Sequence, residues 1–64
     1  KYKIIKRRVI TILTDEGKFV KGYRIWFEYD GVKDFVEVTE DEFLQEKYIE
    51  KINKIIEIWE KTKR

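Results

Sequence analysis

The chain has 64 residues and one small domain's worth of length; 42% of it is hydrophobic and 44% charged. Cysteine and histidine are both absent. This excludes disulfide staples, zinc fingers, Cys or His nucleophile systems and a histidine pH switch. The net charge of +2 hides a strong segregation: residues 1–24 sum to +6, residues 25–50 to −7 and residues 51–64 to +3. An anionic partner is expected near the basic first hairpin or the C-terminal tail and not near Glu37–Glu46.

Residues 2–14 read as a strand, because Ile4, Ile5, Val9, Ile10, Thr11 and Ile12 favour the pleated backbone. Thr14-Asp15-Glu16-Gly17-Lys18 is turn chemistry. Residues 19–29 alternate as a second strand, with Phe19, Lys21, Tyr23, Ile25, Phe27 and Tyr29 on one face. Gly22, on the other face, marks a bulge or a close backbone approach. Asp30-Gly31 is a strong hairpin signal, and residues 32–38 complete a three-stranded antiparallel meander. Thr39-Glu40-Asp41-Glu42 has the spacing of a capping box and opens a helix over about 40–62. The predicted fold class is α+β, with one long C-terminal helix packed on one face of the meander.

Two features of that helix are irregular. Leu44, Tyr48, Ile49, Ile52, Ile55, Ile56 and Trp59 share a stripe, but Phe43 and Ile58 lie outside it, which points to a bend near Gln45–Lys47. A straight helix of this length also outruns a six-residue strand. Either the helix bends or its last turns overhang the sheet, and in the second case Ile55, Ile56 and Trp59 form a candidate homodimer interface.

The expected core side of the sheet carries Phe19, Tyr23, Ile25, Phe27 and Tyr29, joined by Ile10, Ile12, Val36 and Val38. Val9, Thr11, Leu13, Arg24, Trp26, Lys33 and Phe35 are then expected on the outer face. An apolar patch there marks an interaction site. The alternative is a first strand that curls as in a small barrel and buries Val9 and Leu13.

Catalysis is not expected, since no imidazole or thiol is present to activate a nucleophile. The Glu40-Asp41-Glu42 cluster reads as helix capping and lacks calcium-loop spacing. No cofactor, metal or small-molecule substrate is implied. No apolar run is long enough to cross a bilayer and no secretory signal is visible, so a cytoplasmic location without membrane contact is expected. Lys/Glu enrichment without Cys fits a thermostable protein and equally an AT-rich viral or mobile-element genome.

The run Ile25-Trp26-Phe27-Glu28-Tyr29-Asp30-Gly31, followed by Val38-Thr39-Glu40-Asp41 and a helix, resembles the last two strands and helix of the small archaeal chromatin proteins. The resemblance covers residues 4–55. It implies an SH3-like barrel related to chromodomains, with Arg24, Trp26 and their outer-face neighbours on the sheet that the family presses into the DNA minor groove. The acidic middle and the missing separate first hairpin depart from that pattern. A chromodomain-type cage would draw on Tyr2 and Phe27, with Val32 at the third wall. The order of three strands and a helix is also similar to the DNA-binding arm domains of some phage-type integrases.

Two functions follow as expectations. The first is a nucleic-acid-binding module, for DNA or RNA, built from Lys6, Arg8, Lys21, Arg24, Trp26, Lys33 and Phe35. The second is a protein-interaction or self-association module using the helix and the exposed sheet face.

Overall fold

The computed structural model describes residues 2–62. Strands β1 (Lys3–Leu13), β2 (Phe19–Tyr29) and β3 (Val32–Thr39) form one antiparallel sheet in the order β1-β2-β3. Helices α1 (Glu40–Leu44) and α2 (Lys47–Thr62) follow. The α+β meander and its C-terminal helical layer are as the sequence predicts. None of the helices among the described residues is long and apolar enough to cross a membrane.

Turn chemistry sets the register. Asp30 and Gly31 take φ of 53° and 79°, the paired left-handed geometry that matches the twist of a tight hairpin. In the first turn Gly17 takes φ of 82°, and the Thr14 amide donates to the Lys18 carbonyl at 2.8 Å. That five-residue turn places Leu13 directly opposite Phe19. Residues directly opposite one another share a face. Val9, Thr11 and Leu13 therefore lie on the helix side, opposite Tyr23, Lys21 and Phe19, while Ile10 and Ile12 lie on the outer face opposite Gly22 and Val20. This reverses the faces expected for β1, because the turn length and not the strand's own apolar pattern fixes the pairing.

Near its start β1 carries a bulge. Ile4 pairs with Phe27 and Lys6 with Trp26, leaving Ile5 as the extra residue. Lys3 and Lys6 are three residues apart in sequence but oppose Glu28 and Trp26, two apart on β2. The bulge thus brings both ammonium groups to the same face.

The core consists of Ile25, Phe27, Val36, Val38 and Ile52, all buried. Full burial of each such side chain is worth about 1.5–3 kcal/mol. Tyr23, Phe43, Tyr48, Ile55, Ile56 and Trp59 pack around it. The Trp59 ring stacks on Phe27 at 5.8 Å between centroids. Phe27 is wholly buried and so cannot wall a methyl-lysine cage.

The helical layer is broken at Glu46, whose φ of 60° ends α1 before α2 begins. The single helix expected over 40–62 is therefore two segments, with the break inside the stretch where the apolar stripe slips. The capping box forms as expected. Thr39 Oγ1 accepts from the Glu42 amide at 3.2 Å, and the Glu42 carboxylate accepts from the Thr39 amide at 2.9 Å. Phe43 then turns onto Tyr23 at 4.5 Å and Tyr48 at 5.3 Å.

With 16 residues, α2 runs about 24 Å, comparable to the eight residues of β3. The overhang invoked for Ile55, Ile56 and Trp59 is absent; all three are half-buried against the chain's own core. The unfilled end is instead the β1–β2 arm. The β2–β3 pairing ends at Gly22 and Thr39, and beyond it β1 and β2 run on alone. Phe19, expected in the core, is 74% exposed there, and Val9 and Leu13 are 58% and 59% exposed. No barrel closes over Val9 and Leu13.

Candidate nucleic-acid interface

The outer face of the sheet is a grid of three rows, read across β1, β2 and β3. One row is Lys3, Glu28 and Lys33; the next is Lys6, Trp26 and Phe35; the third is Arg8, Arg24 and Glu37. Beyond them lie Ile10, Gly22 and Thr39, then Ile12 and Val20. Five cations and two carboxylates occupy the three rows, a net of +3.

The middle row is aromatic. Trp26 and Phe35 lie 6.1 Å apart at 53°, with Phe35 43% exposed. Such tilted pairs contribute about 0.5–1.5 kcal/mol beyond their burial. Cations frame the pair. Lys6 Nζ sits 5.0 Å from the Trp26 ring, and the Arg24 guanidinium sits 5.7 Å from Trp26 and 4.8 Å from Phe35. Glu37 orients that guanidinium, accepting from Arg24 Nε at 2.7 Å.

Charge on this face is incompletely compensated. Arg8 stands directly opposite Arg24, a like-charge pairing that costs stability unless an anion offsets it. Glu37 serves Arg24. Lys3, Lys6, Arg8 and Lys33 have no carboxylate of a described residue within 4.0 Å.

Of the predicted nucleic-acid residues, Lys6, Arg8, Arg24, Trp26, Lys33 and Phe35 come together on this face. Lys21 does not. It lies opposite Thr11 on the helix side, 3.5 Å from Glu40 and 5.7 Å from the Tyr23 ring. Tyr23 first and Glu40 second hold its ammonium above the ordinary lysine value. Arg7, also on that side, caps the rings of Tyr23 and Phe43 at 5.5 and 5.3 Å. Lys3 belongs to the site and was not among the predicted residues, since the bulge that turns it outward leaves no mark in the apolar pattern. Ile10 and Ile12, expected in the core, extend the face along the arm beside Val20; the turn length, which pairs Leu13 with Phe19, is the signal that could have found them.

Gly22 interrupts the face for a packing reason. A side chain there would overlap Ile12 Cδ1 and lie 2.6 Å from the Val38 carbonyl oxygen. The close backbone approach expected at this glycine is present. Among the described residues, no group of three or more acidic side chains could hold a metal ion. No family model matches the chain, and neither a curated protein nor a solved structure matches it.

Proposed function

We propose that the chain is a non-catalytic nucleic-acid-binding module that uses the outer face of its sheet. The observation that carries this reading is the Trp26–Phe35 pair, bordered by Lys6 and Arg24 with Arg8 in the adjoining row. Aromatic faces offer stacking for bases, and the uncompensated cations offer contacts to phosphate. An anionic ligand would also relieve the Arg8–Arg24 juxtaposition. The test is fluorescence anisotropy of labelled oligonucleotides between about 20 and 200 mM salt. Three to five phosphate contacts give a log–log slope of roughly −2 to −4. Absence of binding at ~100 μM protein and low salt would sink the reading, because non-specific binders normally reach that range.

A second reading, self-association, draws on the helix side of the arm rather than on Ile55, Ile56 and Trp59. There Val9, Leu13 and Phe19 stand bare, and a shallow groove lined by Ile4, Arg7, Ile25, Phe43 and Tyr48 continues between β1 and the helices. Contiguous apolar surface of this kind marks contacts between chains. Sedimentation velocity of the full chain and of Phe19→Ser tests it. A dimer that dissociates in the variant supports this reading, and a monomer at millimolar concentration removes it.

A further inference from the structure

The outer face is electrically lopsided, and the asymmetry bears on which nucleic acid it accepts. On β1 the outward residues of the three rows are Lys3, Lys6 and Arg8, all cationic. On β3 they are Lys33, Phe35 and Glu37, which sum to zero. A cationic and a net-neutral border therefore flank the aromatic row on opposite sides. The acidic first turn of α1 belongs to the helix side, where Glu40 lies 3.5 Å from Lys21.

A duplex presents two phosphate backbones to any element that enters its grooves. The three strands span about 10 Å from β1 to β3, against a major groove about 12 Å wide. A sheet of that width meets phosphates at both edges. The β1 edge would attract one backbone, while the net-neutral β3 edge, where Lys33 is offset by Glu37, would offer the other no comparable attraction. A single strand has one backbone and unpaired bases. Its phosphates can follow β1, where the bulge sets Lys3, Lys6 and Arg8 opposite every second residue of β2, steps of about 6.8 Å. Its bases can then turn inward over Trp26 and Phe35.

Resting on the nucleic-acid reading above, we infer that the ligand is single-stranded, with its backbone along β1 and its bases over the Trp26–Phe35 row. The Arg24 guanidinium, held by Glu37 over Phe35, supplies a further flat surface for a base. Recognition is tolerant of sequence, since every base offers a stacking face. The duplex engagement implied by the chromatin-protein resemblance is the competing outcome.

The experiment is a competition titration of the full chain with a labelled 12-nucleotide single strand and with the blunt duplex of the same sequence, at one low salt concentration. A Trp59→Phe background leaves Trp26 as the sole tryptophan and reports ring contact by quenching. The expected result is at least tenfold tighter binding of the single strand, with Trp26 quenched. Lys6→Glu/Arg8→Glu, at exposed positions that leave the core intact, is expected to weaken single-strand binding at least tenfold. Equal or tighter duplex binding that remains sensitive to Lys6→Glu/Arg8→Glu would overturn the single-strand inference and leave the nucleic-acid reading standing. Failure of both ligands to bind would overturn both. Circular dichroism of each variant separates lost binding from lost fold.

Discussion

Arg24 and Glu37, direct partners across β2 and β3, form an ion pair whose guanidinium also lies 4.8 Å from the centre of the Phe35 ring. One carboxylate therefore both orients a cation and partly neutralises the face on which that cation acts. Both side chains are more than a third exposed, so the pair contributes within about 0–1 kcal/mol to stability. Its greater effect is expected on ligand binding.

Glu37→Gln follows from that arrangement. The variant keeps the side-chain shape and removes one negative charge beside the aromatic row. Its stability is expected to stay within about 1 kcal/mol of the parent. Nucleic-acid affinity is expected to rise several-fold, with the salt slope steeper by about 0.7 for a single strand if Arg24 gains a phosphate. Anisotropy titrations at several salt concentrations measure both.

Gly22→Ala tests the close approach of β1, β2 and β3. The added methyl meets Ile12 Cδ1 and the Val38 carbonyl, and the carbonyl is backbone that cannot swing aside. A loss of about 1–3 kcal/mol is expected in urea unfolding, as for other overpacked sites.

Glu46→Gly acts in the opposite direction. Glu46 holds φ of 60° between α1 and α2, a conformation that a side chain disfavours and glycine adopts freely. The substitution is expected to leave the break in place and raise stability by up to about 1 kcal/mol, read as a higher melting temperature.

The capping box gives the fold a specific acid sensitivity. The Thr39 amide, aided by Lys51 and Lys47 and opposed by partial burial, holds the Glu42 carboxyl below its ordinary value of 4.5. The stabilisation from a lowered carboxyl is complete above the unfolded value and is lost as pH falls through the folded one. The parent is expected to lose stability below about pH 4.5. Glu42→Gln should lose less over that window while starting lower at neutral pH. Urea midpoints from pH 7 to pH 3 distinguish the two curves.

Much of this architecture is legible in the residues. Asp30-Gly31 fixes one hairpin, Thr39 and Glu42 fix the helix start, and the slip of Phe43 from the apolar stripe announces the break. The alternation of β2 correctly separates Trp26 from the buried Phe27. The parity of β1 is not legible, because every residue from Val9 to Leu13 is apolar or β-branched and alternation carries no signal there. Lys21 shows the cost of treating sequence proximity as spatial proximity. It lies near Arg24 in sequence, yet its odd spacing from Arg24 along β2 sends it to the other side of the sheet. Of the two ways to fit the helical stretch, a bend or an overhanging end, the break at Glu46 realises the first, and Ile55, Ile56 and Trp59 turn to the core.

The central claim is that the Trp26 face receives the ligand, and the two indoles permit a direct test. Trp26 lies on the outer face, while Trp59 stacks on Phe27 on the other side of the sheet. Nitrogen–proton correlation spectra of the labelled chain resolve their two indole N–H signals during titration with a single-stranded oligonucleotide. The Trp26 signal is expected to shift progressively while that of Trp59 stays in place. Movement of Trp59 alone, or of neither signal at saturating ligand, would contradict the account.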